Sequence, residues 1–399
     1  MKSETLLTIS DIAGKLLNPR TILFMEHFLR PMIMQILGPE ESVKFYSQKR
    51  KDFVYLFNRM KIDKAYVPIP EDRKNLERKL WNITFRGPLM NSAGMSKNGE
   101  LFNLFLRQGA AGFLGGTTTA KRRKGETANE VNQPFISLPY SGVAINKLAL
   151  PNDGDEMAYS NIVKMIEETK RFPCPIGWSD ALDDGIANEQ KQMEKLVSGM
   201  KIYEEMVDFL ELDVSCPNIN GFSYGKAEKT LQYVGENFLN SRKRKIPVVP
   251  KFSLDVEKKD VPKILDALFK LGYDGINFGN TSTNYDFYRE KIDSREKSFF
   301  DYFIKSFQGG ISGKPLKERS LELCARAVEY KNAGKPNNEF HVIRTGGIEN
   351  ASDLIESDKA GISMNQFFTG YFPLLAVYGN DAFKKIYGDY LEMKKVRKS

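Results

Sequence analysis

The chain has 399 residues, 41% hydrophobic and 28% charged, with a net charge of +8. That balance suits one large α/β domain with an appendage, or two ordinary domains, and argues against wholesale disorder. Three cysteines (Cys174, Cys216, Cys324), far apart and without a CxxC pair, and two histidines (His27, His341) leave almost no material for a disulfide framework, a zinc or iron–sulfur site, or a Ser–His–Asp triad.

Residues 1–50 are expected to be helical, because Phe24, Met25, Phe28, Leu29, Met32 and Ile36 recur at helical spacing. Gly38-Pro39 ends that segment, Glu40-Glu41 open the next, and Pro31 is expected to interrupt or kink the first. The first segment is unusually apolar for a surface helix. It packs on the main domain, or it dips into a membrane surface and forms a hydrophobic slot. No run reaches the about 18–20 apolar residues of a spanning helix. Lys2, Glu4, Asp11 and Lys15 break up the N-terminal apolar runs, so no signal peptide is expected. Residues 62–78 are charged and proline-containing, which divides the chain into a helical extension with its linker, 1–78, and a main domain, 79–399.

From residue 79 the chain alternates short apolar strands with amphipathic helices. The expected strands are Leu89–Ser92, Gly112–Gly116, Ile176–Ser179, Phe209–Val214, Val248–Phe252, Gly275–Gly279, Val342–Thr345 and Ser363–Phe367, preceded by a two-strand element around Leu80–Phe85. Helices are expected at Leu101–Gln108, Asn188–Tyr203, Val261–Leu271, Leu316–Tyr330, Ala351–Glu356 and Asp381–Lys394. Eight β-then-α units imply a parallel sheet closed into an α/β (β/α)8 TIM barrel. No GxGxxG follows the first strand, which weakens the dinucleotide-fold alternative. The basic clusters Lys121–Lys124 and Arg242–Lys245 carry no interleaved aromatics. Solvated turns or helix ends are expected there, and no nucleic-acid partner.

In a barrel, chemistry sits at the C-terminal ends of the strands. Those ends are Ser92-Ala93-Gly94 with Lys97, Gly116-Thr117, Ser179, Asp213 to Asn218, Lys251, Gly279-Asn280-Thr281, Gly346-Gly347 and Phe368-Thr369-Gly370. No metal site is expected among them. Gly346-Gly347, Thr369 and the cluster Gly309–Lys314 (with Ser312 and Gly313) suit a phosphate-bearing cofactor. Lys251 lies inside an apolar strand, so it either forms a salt bridge to another strand or places a cation beside a group that becomes anionic, such as a reduced flavin. Cys216 is a small buried hydrophobe or a base or nucleophile at a strand end. Asn146, Asn218 and Asn280, expected in loops at the same rim, are ordinary turn residues or amides that suit a ring with alternating N–H and C=O groups.

These motifs resemble the dihydroorotate dehydrogenases, FMN-containing (β/α)8 barrels. The resemblance is carried by NSAGMSKNGE (91–100), VAINKLALPNDG (143–154), DVSCPNING (213–221), VPKFSLDV (249–256), GINFGNTST (275–283), GGISGKPL (309–316), RTGGI (344–348) and NQFFTG (365–370). It implies that Cys216 removes the C5 proton of dihydroorotate while the C6 hydride passes to flavin. Lys97, Asn146, Leu148, Ala149, Leu150, Asp213, Asn218, Asn280 and Thr281 then hold the dihydroorotate or orotate ring. Ser92, Ala93, Gly94, Gly116, Thr117, Asn146, Ser179, Lys251, Gly279, Ser312, Gly313, Gly346, Gly347, Phe368 and Thr369 hold FMN. A cysteine at 216 is similar to class 1 enzymes. The N-terminal EHFLRPMIMQILGPEE is similar to class 2 enzymes, which implies quinone as acceptor and a cytoplasmic protein in peripheral contact with the membrane.

The chain departs from the family pattern at three places. Asp213 stands where an asparagine contacts the substrate; an ionised aspartate there accepts a hydrogen bond but cannot donate one, and repels an anionic substrate. IGWSDALDD around Ser179 replaces an asparagine-bearing flavin loop, and Leu148-Ala149 replace a pair that normally includes glycine. Three alternatives stay open: a flavin enzyme acting on another cyclic amide or with a soluble acceptor, a phosphate-binding aldolase or isomerase using Lys251 or Lys97 as a Schiff-base lysine, and a non-catalytic binding protein.

Overall fold

The computed structural model describes residues 29–58, 65–68, 70–169, 174–215, 224–334, 336 and 338–396. Eight strands form its centre: β1 Leu89–Asn91, β2 Phe113–Thr118, β3 Ile176–Ala181, β4 Phe209–Asp213, β5 Val248–Ser253, β6 Gly275–Asn280, β7 His341–Thr345 and β8 Met364–Phe367. These are the eight expected strands, with ends moved by a residue or two. They are parallel and hydrogen-bonded in the order β1-β8-β7-β6-β5-β4-β3-β2. The last seam, between β1 and β2, has no regular ladder. It is bridged by backbone bonds from the Ala111 N–H to the Leu89 carbonyl at 2.9 Å and from the Gly94 N–H to the Gly116 carbonyl at 2.7 Å, and between them by a side chain. Asn91 Nδ2 donates to the Leu114 carbonyl at 2.7 Å, and Asn91 Oδ1 accepts the Leu114 N–H at 3.1 Å. The Asn91 amide therefore fills the gap between these backbone bonds and completes the seam.

Side chains alternate along each strand, so the inward ones stack in layers. The lowest layer is apolar and includes Met90, Leu114, Phe209, Val249, Ile343 and Met364. The antiparallel hairpin Arg78–Leu80/Ile83–Phe85 covers that end. Its Leu80 and Phe85 join the same cluster, and Trp81 stacks on Phe209 with ring centroids 6.2 Å apart. The next layer is polar, built from Glu211, Lys251, Asn277, Thr345 and Gln366, all buried. Outward residues such as Leu210, Leu212, Val248, Ile276 and Phe278 pack under the surrounding helices.

An antiparallel sheet of Phe135–Leu138, Val143–Asn146 and Gly310–Gly313 stands over the barrel mouth. Asn146, expected in a rim loop, is the last residue of one of these strands, and the glycine cluster expected as an anion loop is another.

Helix α1, Arg30–Asn58, leans on this sheet. Ser47 Oγ accepts the Phe135 N–H at 2.9 Å, and Met34, Val43 and Tyr46 are buried. It breaks at Gly38 (φ 75°, ψ 174°) before Pro39, as the sequence predicts. The described helix begins at Arg30, beside Pro31, and the part of the expected segment before residue 29 lies outside the described residues. Pro31 lies in the first turn, where its missing N–H has no helical partner to lose. Phe24, Met25, His27 and Phe28 lie outside the described residues. Among the described residues no helix is long and apolar enough to cross a membrane.

Candidate active site

A cleft of about 950 Å³ opens at the C-terminal ends of the strands. The loop after β1 brings Ser92, Ala93, Gly94 and Lys97, and β2 brings Thr117. Asp213 and Lys251 form the floor beside Gly279, Asn280 and Thr281. Asn146, Leu148, Leu150, Ser312 and Gly313 come from the covering sheet and the loop after it. Gly346, Gly347, Phe368 and Thr369 close the far corner.

Three residues from the expected set stand behind the wall. Gly116 accepts the Gly94 N–H at 2.7 Å. Ser179 is buried inside β3 and shares a 2.9 Å hydrogen bond with the hydroxyl of Thr117, which lines the cleft. Ala149 offers its carbonyl to Arg123 Nε at 3.2 Å. Cys216 and Asn218 lie outside the described residues.

The far corner suits an anion. Gly313 (φ 109°) and Gly347 (φ 71°) have left-handed backbones. An added Cβ would run into the Gly142 carbonyl at the first and the Lys317 backbone at the second. Only glycine fits either place, which lets the backbone approach a ligand closely. Ser312 Oγ and Thr369 Oγ1 lie 3.0 Å apart at the same corner. Thr281 Oγ1, in the cleft wall, is buried without a hydrogen-bond partner among the described residues.

The floor is a connected network. Glu211 Oε1 accepts Lys251 Nζ at 3.2 Å, and Glu211 Oε2 accepts Asn277 Nδ2 at 2.8 Å and Gln366 Nε2 at 3.2 Å. Thr345 Oγ1 lies 3.0 Å from both Asn277 Oδ1 and Gln366 Oε1. Of the two expectations for Lys251, the interstrand salt bridge is present, and the lysine also lines the cleft. Glu211, Asn277 and Gln366 escaped the sequence analysis. The signal available was the inward alternation of Glu211 and Asp213 on β4. Asp213 takes the Ser215 N–H at 3.1 Å and Asn280 Nδ2 at 2.9 Å. Burial pushes its carboxyl up from the usual range, with Lys251 and these hydrogen bonds pulling the other way.

A second cleft, about 1290 Å³, lies between α1 and the barrel. Its lining is mostly apolar, including Met95, Leu101, Phe135, Leu138 and Phe372, with the guanidinium of Arg50 hydrogen-bonded to Gln133. Gly94, Asn146, Leu148, Ser312, Phe368 and Thr369 line both clefts.

Both basic clusters lie in turns or loops with most of their residues exposed, as expected, and their arginines also tie neighbouring segments together. Arg123 pairs with Asp183 and Asp184, Arg242 with Asp274, and Arg244 bonds the Glu204 and Val207 carbonyls. Cys174 and Cys324 are buried, with burial pushing their thiols up to about 11 and about 12.

The sequence profile of the family described as dihydroorotate dehydrogenase matches residues 75–389. The dihydroorotate dehydrogenase (quinone) of Shewanella woodyi is 27% identical over 329 residues, 79% of this chain and 85% of that protein. The protein of the same name from Nautilia profundicola is 30% identical over 299 residues, 74% of each chain. The fold is similar to a crystal structure of Eimeria tenella dihydroorotate dehydrogenase in complex with ferulenol, with a TM-score of 0.71 at 19% identity, covering 87% of this chain and 90% of that one. The profile match takes in all eight barrel strands and the polar cleft at their ends, so the chain belongs to the dihydroorotate dehydrogenase family of oxidoreductases.

Proposed function

We propose that this protein oxidises dihydroorotate to orotate in the polar cleft, with FMN bound there, and passes the electrons to a quinone in the apolar cleft. The observation that carries this is the shared wall: one small-ligand cleft and one apolar cleft have Asn146, Ser312, Phe368 and Thr369 in common. An electron carrier in that wall reaches both ligands.

The residues present fit FMN. The glycine-lined corner with Ser312 and Thr369 offers donors to a phosphate. The Thr281 hydroxyl, without a partner among the described residues, and the buried Lys251 ammonium offer polar contacts along the floor. When bound, FMN supplies a two-electron oxidant that accepts the C6 hydride. The protein's own residues do the rest. Lys97, Asn146, Asn218, Asn280 and Thr281 hold the ring edges, with Leu148 and Leu150 against its face. Lys251 sets a cation where negative charge develops. Cys216 takes the C5 proton as general base.

The same reading covers the division into an N-terminal helical extension, 1–78, and a barrel, 79–399. It also covers peripheral contact of α1 with a membrane on the cytoplasmic side, supported by the 64% and 84% exposure of Met32 and Ile36. Asp213 at the cleft floor favours a second reading, a flavin enzyme on the same scaffold acting on a different cyclic amide.

The purified protein is expected to show flavin absorption that dihydroorotate bleaches without air. A Cys216→Ser variant should keep the flavin and bleach more slowly at neutral pH. A colourless protein, or flavin that only another cyclic amide bleaches, overturns the dihydroorotate assignment. Equal bleaching rates remove Cys216 from the base role.

A further inference from the structure

The floor of the polar cleft holds one cation between two carboxylates. Glu211 and Asp213 project from the same face of β4, and Lys251 stands opposite Asp213 in register on β5. All three are buried, at 1%, 7% and 5% exposure. Glu211 has donors on both oxygens, one of them the Lys251 ammonium. Asp213 has its two donors on Oδ1 alone. Its Oδ2 meets no donor among the described residues, and the residue lines the cleft. Within the buried layer, two charged carboxylates and one ammonium would leave a net negative charge, an unfavourable arrangement. Lys97, the other cation lining the cleft, is only partly buried and does not belong to that layer. A proton removes that charge, and Oδ2 of Asp213 is where it fits. Oδ1 already accepts two N–H groups, and a hydroxyl on Glu211 would face N–H donors.

We propose that Asp213 is protonated at neutral pH and donates a hydrogen bond from Oδ2 into the cleft, selecting a ring that presents a carbonyl oxygen there. The inference rests on the dihydroorotate reading of the cleft and names the chemistry of one ring edge: an acceptor, where an ionised aspartate would demand an N–H. The raised carboxyl of Asp213, driven first by burial, agrees. The other titratable groups facing it are Glu211 on its own strand, Lys251 on β5, and Lys97 across the cleft. Its register neighbour on β3 is Ala181, and β6 brings the neutral Asn280. Cys216 follows it in sequence, outside the described residues. Asp180 belongs to another face of β3, against Gly199 and Asp155 in the helix layer.

The sign follows from linkage. A ligand that needs the proton binds only the protonated form. Above the pKa of the free site its affinity falls by about tenfold per pH unit, and below that pKa it is flat. The substitution Asp213→Asn puts a fixed N–H donor at the same position, so it mimics the protonated state without titrating.

The experiment titrates orotate into the FMN-loaded full-length protein, followed by flavin absorbance from mildly acidic to alkaline pH. Wild type should weaken by about tenfold per unit once above the Asp213 pKa. D213N should lack that step and bind more tightly than wild type in the alkaline range. Superimposable pH profiles overturn the proposal. Independently, the infrared difference between wild type and D213N at neutral pH, without orotate, should contain a protonated carboxyl stretch, and its absence overturns the proposal. If FMN stays bound but orotate binds at no pH, the dihydroorotate reading fails. The infrared band then decides the protonation alone, its presence supporting it and its absence refuting it.

Discussion

Glu211 is the residue on which the barrel's polar layer depends. It is the common acceptor for Lys251, Asn277 and Gln366, and Thr345 ties the last two together. Replacing one partner of a buried ion pair strands the other, at a cost of about 3–5 kcal/mol. Glu211→Leu is therefore expected to lower the unfolding free energy by up to about that amount in urea denaturation, less to the extent that Asp213 ionises and pairs with Lys251. The double variant Glu211→Leu/Lys251→Met should recover part of it, because both charges leave together. An unchanged urea midpoint in the single variant would show that the layer is solvated and not a closed network. The sequence displayed Lys251 as an isolated cation in an apolar strand, which was enough to ask what it meets. It did not display the answer. Glu211 is far from Lys251 along the chain, and its neighbours Leu210 and Leu212 make the segment look uniformly apolar. Only the parallel pairing of β4 with β5 brings the two together.

At the scale of elements, all eight barrel strands were legible because each is a short apolar run followed by a polar or glycine-rich end. The covering sheet was not. Its strands, Phe135–Leu138, Val143–Asn146 and Gly310–Gly313, span four residues each, and one holds two glycines. So little periodicity cannot be told from a turn. The helical tendency of α1 and its break at Gly38-Pro39 were both readable, because Gly and Pro act locally. The Asn91 seam was unreadable, since an amide that fills a gap between strands depends on how close β1 and β2 come in space. It makes a firm prediction. Asn91→Ala leaves the Leu114 N–H and carbonyl without partners in a buried wall, at a cost of about 1–3 kcal/mol for each group. The loss should appear in equilibrium unfolding. Asn91→Asp should lose less only at low pH, where a protonated carboxyl both accepts the Leu114 N–H and donates to its carbonyl; an ionised carboxylate there is buried against the carbonyl oxygen and costs more. A variant as stable as wild type would mean that water fills the seam.

At the scale of the whole molecule, the two clefts and α1 form one arrangement. The polar cleft ends at Phe368 and Thr369, the apolar cleft begins there, and α1 lies over the apolar cleft through Tyr46 and Arg50. One side of α1 is used in this way, with Met34 and Val43 buried. Met32, Ile33 and Ile36 are exposed on the same helix and line neither cleft. On the proposed reading this apolar helix face meets the bilayer, so that a lipid-dissolved acceptor reaches the apolar cleft without crossing water. Burying one such side chain contributes about 1.5–3 kcal/mol, so removing two should weaken membrane association by tenfold or more. Met32→Glu/Ile36→Glu in the full chain is therefore expected to reduce co-sedimentation with phosphatidylcholine vesicles by at least about tenfold. It should also slow reduction of a long-chain quinone held in those vesicles. Reduction of a water-soluble dye should continue at the wild-type rate, since neither residue touches the polar cleft. Equal loss with dye and quinone would instead place the effect in the barrel. Unchanged vesicle binding would show that this face of α1 does not meet the bilayer.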